Sequence, residues 1–281
     1  MQIGPYEIHA IEAGRFALDG GAMFGVVPRP LWERSNPPDE RNRIAMAARA
    51  LLVVGNGKKI LVDVGNGAKF STKLAEIYKI GNGPGALDHE LSRFGLSSSD
   101  ITDVVLTHLH FDHAGGSTIA TEKGLRPAFP RARYYVQRDH WKAAQHPTER
   151  DRASFFLDDF VPLEREGVLE FLDGEGELFP GISLRLFHGH TRALQCPVIR
   201  GDGKTLSFCA DLIPMASHVQ LPWIMGYDLR PLETLEEKRV VLQSAADEEW
   251  ILFLEHDPVV EGLTVRHGAK GIERAAEVRL E

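Results

Sequence analysis

Apolar positions along this chain come in short runs, and their period changes from run to run. Residues 6–16 read as a strand. Residues 51–54 and 60–64 flank Gly55-Asn56-Gly57, the strongest hairpin signal present, because Asn-Gly accepts the positive φ angles of a tight turn. Residues 87–94 predict a helix that Gly95 ends. The run 101–106 is a buried strand, 134–136 another, and 139–145 a helix. Further strands are expected over 182–187 and 205–209, then a helix over 232–246 from apolar spacing such as Leu232, Leu235, Val240 and Val241. A last strand over 250–254 and a closing helix over 271–280 complete the series. Strands and helices alternate irregularly, which predicts a layered sandwich of the α/β or α+β class. Between 19 and 42 neither period survives, and the segment is rich in Gly, Pro and aromatic residues.

The chain has 281 residues, 43% hydrophobic and 26% charged. That is enough for a sizeable core, and a single domain over 1–281 is expected. Net charge is −8 with no long basic run, which argues against nucleic acid or an anionic membrane as partner. No stretch of about eighteen apolar residues suggests a membrane span. Residues 1–10 carry Glu7 and lack a basic end followed by an apolar core, so no signal peptide is expected. Two cysteines, Cys196 and Cys209, make no disulfide framework, and a reducing, cytoplasmic setting fits best.

Candidate chemistry is concentrated in Thr107-His108-Leu109-His110-Phe111-Asp112-His113-Ala114-Gly115-Gly116, directly after an apolar strand. Three imidazoles and a carboxylate delivered by one strand end suit zinc and similar first-row metals. Later strand ends carry more ligand-type residues: His188 and His190 after 182–187, Asp211 after 205–209, and His256 after 250–254.

In these residues the sequence resembles the metallo-β-lactamase superfamily. H-x-H-x-D-H stands intact at 108–113, G-H-[ST] appears as Gly189-His190-Thr191, and the strand-end Asp and late His as Asp211 and His256. An upstream strand-end Asp before a Gly appears as Asp63 in Leu61-Val62-Asp63-Val64-Gly65. The resemblance implies a four-layer αββα sandwich. It implies one metal held by His108, His110 and His190, a second held by Asp112, His113 and His256, and Asp211 bridging them. Two zinc ions are the leading expectation, with iron, manganese or cobalt able to use such N/O ligands. Two divalent ions sharing a water lower its pKa, and Asp112 is the candidate to pass the proton to a leaving alkoxide.

Other residues offer more than one reading. Asp63 either holds a metal-binding histidine or makes a turn. His188 is a supporting group or has no role at the metals, and His218 is a supporting group or a solvated loop histidine. Tyr227 is a donor to a substrate carbonyl or a core side chain. His9, His89, His140, His146 and His267 read as surface. Met23, Phe24, Leu31 and Trp32 place apolar area on the 19–42 loop, which predicts either a lid over an apolar substrate chain or a subunit interface, and with the latter a homodimer. That loop and 222–227 resemble the quorum-quenching N-acyl homoserine lactonase branch. The expected function is therefore lactone-ring opening on a small-molecule substrate. A phosphotriesterase or other ester hydrolase, and a metal-stabilised binding or sensor protein with little turnover, are the alternatives.

Overall fold

A computed structural model describes residues 1–81, 83, 85–269 and 271–280. The chain's contacts divide into two compact units, one of residues 1–15 and 48–174, the other of 16–47 and 175–281. Both are mixed α/β structures, as the irregular alternation of periods predicts.

The first unit holds most of a seven-stranded sheet, to which residues 16–19 and 43–47 of the second also belong. Its order is Gln2–Ile3, Tyr6–Asp19, Arg43–Gly55, Lys58–Val62, Asp103–Val105, Arg133–Gln137 and Leu169–Leu172. The predicted hairpin joins Arg43–Gly55 to Lys58–Val62 through Asn56 (φ 50°) and Gly57 (φ 72°), both central residues taking the positive φ of a two-residue turn. From Lys58–Val62 onward the neighbours are parallel, with Val62 opposite Val105 and Val105 opposite Tyr135. Crossovers containing the helices Ala86–Ser92 and Arg138–Gln145 make that possible. Leu52, Leu61, Val104, Leu106, Tyr134 and Phe160 belong to this unit's core. A helix at Leu157–Arg165 and a small hairpin, Thr118–Thr121 with Gly124–Pro127, carried no clear sequence signal.

The second unit holds the other seven-stranded sheet: Gly176–Phe179, Ile182–Phe187, Leu194–Gly201, Lys204–Phe208, Ile251–Phe253, Gly262–Gly268 and Gly271–Val278. All neighbours are antiparallel except Lys204–Phe208 and Ile251–Phe253. The helix Pro231–Asp247 bridges that parallel pair in sequence. It buries Thr234, Lys238, Val241, Leu242 and Ala245, a stripe at the spacing of one helix face.

Two sequence expectations are corrected here. The closing segment is a strand, Gly271–Val278, paired with Gly262–Gly268. Its Ala, Glu and Arg favour a helix locally, but cross-strand pairing on both sides of a register shift between Leu263 and Val265 overrides that preference. The 19–42 segment is not wholly irregular. It contains the short helices Gly20–Phe24, capped by the Asp19 carboxylate, and Arg29–Trp32, opened by Pro30. Among the described residues no helix is long and apolar enough to cross a membrane.

Candidate metal centre

Register explains why the ligand-type residues of each unit gather. In the first unit Val62 and Val105 are parallel partners, so the chain leaves both strands at the same edge. Asp63 N donates to Val105 O at 3.0 Å, and the Asp63 side chain then reaches across to the loop that carries the histidines. Its Oδ1 accepts from Thr107 N at 2.7 Å and its Oδ2 from Thr107 Oγ1 at 2.6 Å. The same Oδ2 lies 3.0 Å from His113 Nδ1. Asp63 adopts φ 55° and is fully buried, a conformation that a short polar side chain tolerates when its environment fixes it.

Around that carboxylate the imidazoles are crowded and buried. His108 Nε2 lies 3.0 Å from His110 Nδ1, and the rings of His108 and His113 have centroids 3.9 Å apart. Asp112 Oδ1 is 3.9 Å from His113 Nε2. Ligand atoms that share a zinc at about 2.0–2.2 Å lie about 3–3.5 Å apart, so His108 Nε2 and His110 Nδ1 are spaced to share one ion. Thr107 Oγ1 occupies His108 Nδ1 at 3.1 Å. Phe111 and Tyr78 stack beside this cluster with centroids 4.9 Å apart. Burial, and next the Asp112 charge, push the Tyr78 hydroxyl pKa up. Nothing in the sequence distinguished Tyr78 as a neighbour of this site.

The second unit repeats the device. Phe208 and Phe253 are parallel partners. Asp211 and His256, each three residues further on, are brought together. Asp211 Oδ1 lies 3.1 Å from His256 Nε2, while its Oδ2 lies 3.0 Å from His190 Nε2. His190 also follows its strand, Ile182–Phe187, by three residues. Asp211 thus presents one oxygen to each of two imidazoles, the arrangement a bridging carboxylate requires. His256 Nδ1 is held by Ala47 O at 2.8 Å, and His190 Nδ1 by Asp228 Oδ1 at 2.8 Å. Burial alone would depress the His190 pKa, but the Asp211 and Asp228 carboxylates outweigh it and raise it to about 10. Asp228 is the supporting residue that sequence reasoning passed over in favour of its neighbour Tyr227, which is half-buried.

Across the described residues, the side chains able to hold a metal include His108, His110, Asp112 and His113 in the first unit, and His190, Asp211 and His256 in the second. All seven are buried.

The residues with several readings separate clearly. Asp63 holds His113. His188 braces its own turn: its Nδ1 accepts from Ala193 N at 3.2 Å, while Glu237 accepts from His188 N at 2.6 Å. His218 is not a solvated loop residue. It is buried, pairs with Met23 O at 2.9 Å through Nε2 and stacks on Phe24 at 4.9 Å. Burial, then the Lys238 charge, lower its pKa to about 3. Phe24 also stacks on Trp32 at 5.2 Å, so Met23, Phe24 and Trp32 bury against their own unit, while Leu31 stays exposed. His89, His146 and His267 are exposed, but His140, expected at the surface, is buried and accepts from Leu109 N at 2.8 Å.

Comparisons with known proteins bear on the family and the fold. The profile of the Metallo-beta-lactamase superfamily matches residues 45–256. An N-acyl homoserine lactonase of Bacillus thuringiensis is 31% identical over 170 residues, 59% of this chain and 60% of the relative. This chain therefore matches less than two thirds of the length of such relatives, down to 38% for a lactonase of a Bacillus species. Among solved structures, a probable metal-dependent hydrolase from Staphylococcus aureus superposes with TM-score 0.90 at 26% identity, covering 99% of this chain and 98% of that one. AidC, a dizinc quorum-quenching lactonase in complex with a homoserine product, superposes with TM-score 0.80 at 21% identity, over 99% and 96% of the two chains.

Proposed function

Given that this chain belongs to the metallo-β-lactamase superfamily, we propose that it is a dinuclear metal-dependent hydrolase that opens the lactone ring of N-acyl homoserine lactones. The observation that carries the hydrolase reading is the state of the imidazole nitrogens. His113, His190 and His256 each have Nδ1 held, by Asp63, Asp228 and Ala47 O respectively. A tied Nδ1 fixes the tautomer and leaves Nε2 as the ligand atom. The donor types fit such a group, and in this reading His108, His110 and His190 would hold one ion, Asp112, His113 and His256 the other, and Asp211 would serve both. Zinc suits these N/O donors, and the likeness to a dizinc lactonase favours it.

When bound, two divalent ions supply Lewis acidity, which makes a water more acidic and a carbonyl more electrophilic. The chain's own groups do the rest. Asp112 carries the proton to the ring oxygen as it leaves. Asp63 and Asp228 keep His113 and His190 oriented, and burial excludes bulk water from the donor atoms. The choice of an acyl homoserine lactone is supported by the likeness to the Bacillus lactonases, and the substrate is a small molecule rather than a macromolecule. Both cysteines, Cys196 and Cys209, are buried, and a reducing, cytoplasmic setting belongs to this reading because two cysteines make no disulfide framework.

The test couples metal analysis of the purified protein to hydrolysis of acyl homoserine lactones of several chain lengths. Two metals per chain with chain-dependent ring opening is the expected result. His108→Ala and Asp211→Ala should lose both metal and turnover. Two metals with turnover confined to phosphotriesters or simple esters would replace the lactone by those substrates.

A further inference from the structure

Asn66 lies three residues beyond Asp63, in a loop that is fastened to the segment following His110. Val64 N donates to His113 O at 2.9 Å, Gly116 N to Gly65 O at 2.9 Å, and Lys69 Nζ to Thr118 O at 2.8 Å and to Gly115 O. The two backbones approach so closely that a Cβ at Gly115 would fall 2.1 Å from Asn66 O, and one at Gly67 2.2 Å from Gly115 O. Asn66 is therefore held rigidly beside the histidine loop.

Its side chain has no structural employment. Asn66 is 2% exposed. Among the described residues neither its Nδ2 nor its Oδ1 has a hydrogen-bond partner. A buried amide left unpaired costs roughly 1–3 kcal/mol per group, and in a native structure such a group calls for a partner such as a bound molecule. The residue lines a cavity of about 430 Å³ whose wall is apolar at Phe70, Leu74, Phe155 and Phe156 and charged at Lys69, Asp158 and Asp159. Lys69 and Asp159 pair with each other at 3.0 Å, which leaves the Asn66 carboxamide as an uncommitted polar group beside a largely apolar wall, the composition of a small-molecule site whose polar group sets orientation.

A carboxamide presents a donor and an acceptor side by side. Its complement is a group that offers an acceptor and a donor along one edge. The N–H and C=O of a single extended amino-acid unit do so, which is why they bond together across an antiparallel pair. We propose that Asn66 recognises the α-acylamino carbonyl unit of the substrate. Oδ1 accepts from the acylamino N–H, and Nδ2 donates to the carbonyl on the same α-carbon. This deepens the lactonase reading and rests on it for the identity of the scissile ester. A plain lactone and a phosphotriester both lack the N–H and satisfy only half of the pair.

The experiment compares N-hexanoyl homoserine lactone with an α-alkyl-γ-butyrolactone of matched length, on the metal-loaded wild type and on Asn66→Leu and Asn66→Asp. The isosteric Asn66→Asp keeps the acceptor and loses the donor. The expected result is that the ratio of kcat/KM for the acylamino lactone over the plain one falls at least about tenfold in both variants, with metal content unchanged. A ratio that stays at the wild-type value overturns the proposal. Calorimetric binding of the open-chain N-hexanoyl homoserine, against its analogue without the acylamino group, gives a readout independent of turnover. If the wild type opens neither lactone, the lactonase reading fails, and binding alone decides the role of Asn66. Binding weakened at least about tenfold by Asn66→Leu sustains that role. Binding unaffected by it, or absent in the wild type, overturns it.

Discussion

Asp63 shows how much one side chain can organise. A carboxylate at φ 55°, wholly buried, accepts from Thr107 N and Oγ1 and faces His113 Nδ1. Asp63→Asn keeps the shape and the tolerance of positive φ but removes the charge. It should weaken metal affinity by about 10–100-fold, as should Asp228→Asn through His190, measured by competition with a chelator. A second carboxylate has a pH signature. Burial raises the Asp159 pKa to about 6 from 3.8, with Lys69 acting in the opposite sense at 3.0 Å. The folded state then holds the proton more tightly than the unfolded chain. The stabilisation is complete below the unfolded value and is lost as pH rises through the folded one. Its size is at most about 3 kcal/mol. Urea unfolding between pH 4 and pH 7 should show this decline in the wild type and not in Asp159→Asn. The Asp63 motif was legible in the sequence because a strand-end Asp-x-Gly is a local pattern. Asp228, 38 residues from the histidine it holds, had no such signal.

At the scale of elements, each unit gathers its ligands where two parallel strands end in register, and the loops after them carry the chemistry. His108, His190, Asp211 and His256 each stand three residues beyond the last residue of a strand. Several strands, such as Ile182–Phe187 and Lys204–Phe208, were predictable from apolar runs to within two residues, whereas Arg43–Gly55 begins eight residues before the run 51–54, and Leu194–Gly201 and Gly262–Gly268 were not predicted. Their partners were not, because periodicity says which face is buried and nothing about which strand lies alongside. Helix Pro231–Asp247 supplies a test of local packing. Its buried Lys238 donates to Gln220 O, Leu221 O and Trp223 O. Lys238→Met should destabilise the fold by about 2–3 kcal/mol, since three carbonyls lose one shared donor, and thermal unfolding would register it. Were the melting temperature unchanged, the Lys238 contacts would be irrelevant to stability.

For the whole molecule, the residues proposed to hold metal are His108, His110, Asp112, His113, His190, Asp211 and His256, and all of them are buried. Metal should then stabilise the folded chain by mass action, by about 4 kcal/mol when free metal exceeds its dissociation constant about a thousandfold. Treatment with a chelator should lower the unfolding midpoint, and readdition of zinc should restore it. An unchanged midpoint would mean that the ligands do not hold metal in the native state. The net charge of −8 favours accumulation of divalent cations over anionic polymers near such a surface.

The sequence by itself determined the α/β class, the positions of eight of the sixteen described strands, the turn at Asn56-Gly57 and the H-x-H-x-D-H cluster at 108–113, because each depends on a period or a spacing within a few neighbouring positions. Only the tertiary structure decided the rest. It made 271–278 a strand, because pairing with Gly262–Gly268 outweighs local helix preference. It buried His140 and His218, whose polar nitrogens found backbone partners 31 and 195 residues away. It turned the aromatic residues of the 19–42 segment largely inward and left Asn66 as an unpaired polar group in the wall of a cavity. Burial and hydrogen-bond satisfaction are properties of contacts between distant segments, and no local pattern encodes them.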